Sequence, residues 1–366
     1  MTQPDQSSLL AACEAALGDG NSWPLSTFIA RCMTDPMHGY YQQQEPFGTS
    51  GDFITAPEIS GLFGEMCGLY LAHMYEVAGA PADAAVLELG PGRGSLMRDM
   101  HHVWQTLMPD LAAAPIHLVE ASARLRSAQA TTLAPTGQTP TWHDDVTHLP
   151  AKPLFGIANE FFDALPIDQI ICRNGSWHHR HVGLIDGNLA FVDGPAISTD
   201  QLPATLPAAQ DGAIAEFCPD ADRIMDDVAG HVARFGGAVL IIDYGRRGNE
   251  GDSLQAVADH KPVDIFHAPG QADLSHWVDF AALGQRAAMA GCRLIGPVPQ
   301  GRFLMRIGLA ARAEQAAASG DPETRRSLLA AVDRLTSPAQ MGEAFKVALL
   351  VPNGEGIPPG FEGDRE

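Results

Sequence analysis

Apolar positions change their period along this chain, and the changes divide it. Over residues 9–17 and again over 25–33 they recur at helical spacing, with Ser22 ahead of the second run as its predicted cap. A turn-rich stretch runs from Gly39-Tyr-Tyr to Gly51-Asp-Phe-Ile-Thr55, after which Thr55-Ala-Pro-Glu58 reads as a capping box. In such a box the hydroxyl and the carboxylate each satisfy a backbone donor that the first helical turn leaves unpaired. Ile59, Leu62, Phe63, Met66, Leu69, Tyr70, Met74 and Val77 then mark one apolar helix face, which Gly79 ends.

From Ala84 onward, short apolar runs alternate with helical stretches: strands at 86–89 and 116–119, helices at 96–107 and 125–133. Two further continuous apolar runs, 154–158 and 238–242, suit strands covered on both faces. This alternation predicts an α/β fold with a doubly wound, mostly parallel sheet. Between those two strands, alternating apolar residues over 169–192 and the pairs Asn174-Gly175 and Asp186-Gly187 predict a small β-meander that helps to form a cap. A helix near 277–290 stopped by Gly291, a hairpin of 293–297 with 302–309, helices over 311–350 and a frayed Pro/Gly-rich tail from Pro352 complete the reading. The predicted regions are an N-terminal helical cap (1–80), a core (81–310) with an insertion at 168–200, and C-terminal helices with a tail (311–366).

Composition narrows the function. Of 366 residues, 45% are hydrophobic and 18% charged, the balance of a folded domain. Forty-four acidic against 23 basic residues give a net charge of -21, which repels nucleic acid and anionic membranes; it attracts basic protein segments or serves solubility alone. The six cysteines are scattered without a C-x-x-C pair. The start lacks a basic or apolar leader, and no apolar stretch approaches about 18 residues, so a cytoplasmic protein without membrane insertion is expected. His101-His102 and His178-His179-Arg180-His181 lack H-E-x-x-H spacing and are read as surface histidines, with no metal assigned. No G-x-S-x-G elbow is present.

The candidate chemistry sits at strand ends. Glu88-Leu-Gly90-Pro-Gly92-Arg-Gly94 follows a predicted strand and opens a helix. Glycines there let a ligand approach the backbone, and the helix N-terminus offers free N–H groups. Ser95 stands where a dinucleotide fingerprint needs its last glycine, so G-x-G-x-G with Glu88 ahead fits a sulfonium cofactor better; a plain tight turn is the alternative. Glu120 ends the next strand, placed for ribose hydroxyls or for a solvated turn. In His143-Asp144-Asp145, Asp145 is the candidate for an adenine amino group, or else caps a turn into Thr147. Asn159-Glu160-Phe-Phe-Asp163 offers an amide, two carboxylates and a flat wall to an acceptor, and equally reads as a packing corner. For an arginine acceptor, Glu160, Asn159 and Asp163 would hold the planar guanidinium. Asp243-Tyr244-Gly245 ends the following strand on the same side, and Asp52 lies in a loop able to fold over the cofactor.

The ordered motifs Gly51-Asp-Phe-Ile-Thr-Ala-Pro-Glu-Ile-Ser60, Leu87-Glu-Leu-Gly-Pro-Gly-Arg-Gly94, Val119-Glu-Ala-Ser122, Asn159-Glu-Phe-Phe-Asp-Ala-Leu-Pro166 and Ile242-Asp-Tyr-Gly245 resemble the MidA-like methyltransferase family over nearly the whole chain. The resemblance implies a seven-stranded class I methyltransferase sheet with S-adenosylmethionine as cofactor. It also implies symmetric dimethylation of an arginine on a respiratory complex I subunit. Its cofactor contacts fall on Gly90, Gly92, Gly94, Glu120 and Asp145, its acceptor side on Asn159, Glu160 and Asp163. One departure concerns Ala258 and Asp259, which stand before His260 where the family usually shows a basic residue. A small-molecule methyltransferase and an assembly chaperone that binds the cofactor without essential catalysis are the alternative functions.

Overall fold

A computed structural model describes residues 9–43, 55–202, 206–318, 320–354 and 356–363. Asp52 lies outside the described residues. The chain forms two compact units, each assembled from three segments: Met1–Phe53, Asp163–Asp222 and Arg247–Asp279 in one, Ile54–Phe162, Arg223–Arg246 and Phe280–Glu366 in the other. The sequence reading divides the chain into consecutive regions, whereas these units are interleaved. The reason lies in strand pairing, because Trp23–Pro24 near the N-terminus pairs with Val182 and His181 of the insertion.

The larger unit holds a seven-strand path. Its elements are α1 (Gly61–Val77), β1 (Ala85–Leu89), α2 (Ser95–Leu107), β2 (Ile116–Val119), α3 (Ala123–Leu133), β3 (Thr141–His143), β4 (Leu154–Asn159), β5 (Gly237–Arg246), β6 (Cys292–Pro299), α4 (Pro322–Thr336) and β7 (Phe345–Pro352). The strand order is β6-β7-β5-β4-β1-β2-β3. Pairings from β5 through β4, β1 and β2 to β3 are parallel, and β7 lies antiparallel to both β5 and β6. Chain order reverses between β1 and β4, and a doubly wound sheet opens its ligand crevice at such a switch point. β1, β2 and β4 are buried at every position, as strands covered on both faces must be.

α1 packs closely on α2 because small residues face it. A Cβ on Gly64 would lie 2.6 Å from Asp99 Cβ, and one on Gly68 would lie 2.8 Å from Met100 Cα. Trp104 Nε1 donates to the Gly68 carbonyl at 2.8 Å.

Five local expectations are corrected. The Thr55–Glu58 capping box does not form: Ala56–Ile59 is a separate turn without a side-chain cap, and the long helix starts at Gly61, capped by the Ser60 hydroxyl on the Leu62 N–H. Extended backbone at Ser60 (φ -164°) breaks the two apart, and Glu58 instead accepts from the Ser95 hydroxyl at 2.9 Å. Ser22 caps no helix; Pro24 holds the N-cap position, and the Ser22 hydroxyl meets His181 Nδ1 at 3.0 Å. Residues 302–309 are no strand, since Gln300–Arg306 is helical, and the partner of β6 is β7, within the stretch read as helix. The run Phe345-Lys-Val-Ala-Leu-Leu fills a slot between two strands, where burial on both faces overrides helical spacing. The tail is also anchored, because Phe361 is buried in the same core against Tyr70 and Phe303.

In the smaller unit the meander forms as predicted. Asp168–Arg173, Ser176–Ile185 and Asn188–Ala196 are joined by Asn174-Gly175 and Asp186-Gly187, all four with positive φ. Ile214–Phe217 adds a fourth strand, and helices Leu9–Leu17 and Leu25–Thr34 cover the unit's own core.

Candidate active site

β1 places a carboxyl in an otherwise apolar strand. Glu88 is 2% exposed, and its Oε2 has no hydrogen-bond partner among the described residues. Burial raises its pKa to about 8, opposed by the Met97 N–H. An orphaned carboxylate oxygen at this depth is costly to the free protein and favours a ligand that brings positive charge.

The loop that follows holds Gly90, Gly92 and Gly94 at φ +61°, +52° and +83°. Gly90 is required twice over: the conformation is left-handed, and a Cβ would sit 2.7 Å from Phe161 Cδ2. Gly94 is the N-cap of α2 and lies against α3, where a Cβ would come 3.4 Å from Gln129 Cα.

Glu120, just past β2, is 9% exposed, with both carboxylate oxygens held. Oε1 accepts the Ser122 N–H at 2.8 Å and Oε2 accepts Gln129 Nε2 at 3.1 Å. Burial still raises its pKa above the ordinary range. Asp145 stands differently, for its Oδ1 accepts both the hydroxyl and, at 2.9 Å, the N–H of Thr147. Those bonds lower its pKa, and it occupies the turn-capping geometry that the sequence left open.

Across the switch point, β4 ends in Asn159, which is 8% exposed and whose Oδ1 has no partner among the described residues. Glu160 follows with φ +50°. Its Oε1 accepts the Ala56 N–H and Asn159 Nδ2, each at 3.2 Å, and burial raises its pKa to about 7 against those bonds and the charge of Arg334. Asp243 of β5, fully buried, pins this turn: its Oδ2 accepts the N–H groups of Phe161 at 3.2 Å and Phe162 at 2.9 Å. Phe162 is buried, while Phe161 lays its ring over Gly90.

One unit thus brings together Glu88, the glycine loop, Glu120, Asp145, Asn159 and Glu160. Asp163 belongs to the other unit, where its side chain is buried and its carbonyl accepts the His276 N–H at 3.0 Å. His101, read as a surface histidine, is buried; its Nε2 meets the Ala112 carbonyl at 3.0 Å, and its ring lies edge-on to Trp104. Sequence reasoning missed Gln129 and the clamp made by Asp243. Gln129 carried a signal: it falls with Leu125 and Leu133 on the buried stripe of α3, a polar side chain where the helix demands an apolar one.

S-adenosylmethionine fits these residues. Glu88 offers an unpaired buried oxygen to a cation, the glycine loop leaves a cradle that side chains would fill, and Glu120 offers a fixed carboxylate to a diol. Residues 66–298 match the family described as "Putative S-adenosyl-L-methionine-dependent methyltransferase". Over 355 residues the chain is 32% identical to human protein arginine methyltransferase NDUFAF7, mitochondrial, covering 90% of this chain and 80% of the relative. Its Drosophila melanogaster homolog is 34% identical over 362 residues, covering 90% and 81%. A Burkholderia thailandensis structure, a COG1565 superfamily member and likely methyl transferase bound to S-adenosyl-homocysteine, superposes with a TM-score of 0.83 at 27% identity over 99% of this chain and 97% of that one. The relatives are named as mitochondrial, which overturns the cytoplasmic expectation drawn from the start of the sequence and from the lack of a long apolar stretch. With its sheet order, its glycine loop and relatives matched along nine-tenths of its length, the chain belongs to the S-adenosyl-L-methionine-dependent methyltransferase family.

Proposed function

We propose that this enzyme is a protein arginine methyltransferase in which Glu160 and Asn159 receive the acceptor guanidinium. The observation that carries the reading is the pair of acceptors at the end of β4. Asn159 Oδ1 is buried and unpartnered among the described residues, and Glu160 commits Oε1 to Ala56 and Asn159, which leaves Oε2 for the substrate. A planar guanidinium is held best by two acceptors in a fixed relation, which also aims one of its nitrogens. The names of the relatives support the same acceptor class and a protein substrate.

Glu88 would hold the cofactor's ammonium, the Gly90–Gly94 loop its amino-acid end, and Glu120 its ribose, with Asp145 on the adenine side. Bound S-adenosylmethionine supplies an electrophilic methyl group. Glu160, with a pKa of about 7, is ionised just above neutrality and accepts the proton that the guanidinium nitrogen sheds on methylation. The Phe161 ring over Gly90 would narrow the approach to the cofactor loop.

The finer reading is symmetric dimethylation of one arginine on a respiratory complex I subunit during assembly, a basic client suited to a chain of net charge -21. The test is to incubate purified protein with methyl-labelled S-adenosylmethionine and lysate from cells lacking it, then hydrolyse the labelled band. Symmetric dimethylarginine on a single complex I subunit is the expected product. Label on another amino acid, or on a small molecule only, would refute the arginine reading.

A further inference from the structure

One heavily bonded buried amide of the larger unit belongs to a residue outside the sequence motifs. Gln129, in the middle of α3, is fully buried. Its Nε2 donates to the Gly92 carbonyl at 2.8 Å and to Glu120 Oε2 at 3.1 Å, and its Oε1 accepts the indole N–H of Trp142 at 2.8 Å. Two acceptors on one side and a donor-only indole on the other fix which way round the amide stands. Its backbone is equally constrained, since a Cβ built on Gly94 would come within 3.4 Å of its Cα. A buried leucine would satisfy the helix pattern there, so the amide is kept at a cost in desolvation.

We infer that Gln129 is a positioning residue for the cofactor, setting the glycine loop and the Glu120 carboxylate in one register by bonding both through a single nitrogen. The loop comes from the end of β1 and Glu120 from the end of β2, and Gln129 Nε2 bonds to both. With Ser122 holding Oε1 and Gln129 holding Oε2, the Glu120 carboxylate keeps one rotation, the one it presents to a ribose diol. This role rests on the assignment of Glu120 to the ribose.

The test is a double-mutant cycle read by calorimetric binding of S-adenosylhomocysteine to the full chain, with melting temperature as the fold control. Gln129→Leu should weaken binding about thirtyfold and Glu120→Gln about tenfold, as expected for lost charge-assisted bonds. The double variant should be weakened at least threefold less than the product of the two, because a carboxylate already removed no longer needs orienting. Should Gln129→Leu fail to fold, Gln129→Glu keeps the shape and the Trp142 acceptor while setting an oxygen against Gly92 and Glu120, and the same sub-multiplicative coupling is expected. Two results overturn the proposal in distinguishable ways. Losses that multiply, with Glu120→Gln itself weakened, leave Glu120 at the ribose and refute Gln129 as its positioner. An unchanged affinity in Glu120→Gln refutes the ribose assignment and the Gln129 role with it.

Discussion

At the scale of single residues, two carboxyls dominate, Glu88 buried and Glu160 half-buried. Glu88 and Glu160 both have pKa values raised by burial, to about 8 and about 7. A raised folded-state value means that the folded protein holds a proton the unfolded chain has released. Stability is therefore complete below the unfolded value near 4.5 and is lost as pH climbs through 7 to 8, a tenfold difference in proton affinity being worth about 1.4 kcal/mol. The cofactor-free protein should accordingly melt several degrees lower at pH 8 than at pH 5, and Glu88→Gln should flatten that slope; an unaltered slope in thermal scans would show that Glu88 ionises freely. For catalysis the sign is reversed. Transfer requires ionised Glu160, so kcat/KM should rise with pH through about 7, and Glu160→Gln should lower kcat about a hundredfold while leaving the Kd for S-adenosylhomocysteine within about threefold. Equal losses in both quantities would remove Glu160 from the acceptor side.

At the scale of elements, the site is made by two turns meeting face to face. The loop after β1 and the turn after β4 touch where Phe161 covers Gly90, so neither can be altered alone. Gly90→Ala would drive a methyl into the ring at a left-handed φ, and should cost about 1–3 kcal/mol of stability and at least tenfold in S-adenosylhomocysteine affinity. Adding Phe161→Ala to that variant should restore part of the affinity by opening the space, which a binding titration on the pair decides. Asp243 acts one element further away. Asp243→Asn keeps the side-chain volume but weakens the bonds to the Phe161 and Phe162 N–H groups, so turnover should fall more than cofactor affinity. Glu58 shows how easily a local motif misleads. Its spacing from Thr55 satisfies the capping-box rule, yet the carboxylate is drawn across to Ser95 at the start of α2, and Ala56 of the same turn donates to Glu160.

At the scale of the whole molecule, two units are built from interleaved segments, and each has its own apolar core. Glu88, the glycine loop, Glu120, Asp145, Asn159 and Glu160 all fall in the larger unit. Among the described residues no helix is long and apolar enough to cross a membrane. The sequence alone specified the parallel half of the sheet, because strands buried on both faces are written as unbroken apolar runs such as 154–158 and 238–242. It also determined the glycine loop and the meander turns, because positive φ demands Gly, Asn or Asp at fixed places. The position of Glu120 after its strand was legible for the same local reason. The rest was settled by contacts made on folding. β7 carries a run that either period accommodates, and it became a strand because β5 and β6 leave a slot for one. The bond between Ser95 and Glu58, the clamp of Asp243 on a turn 81 and 82 residues away, and the grip of Gln129 on a loop 37 residues earlier are all bonds between distant parts of the chain. Periodicity reports which face of an element is buried; it does not report which partner a buried polar group will find there.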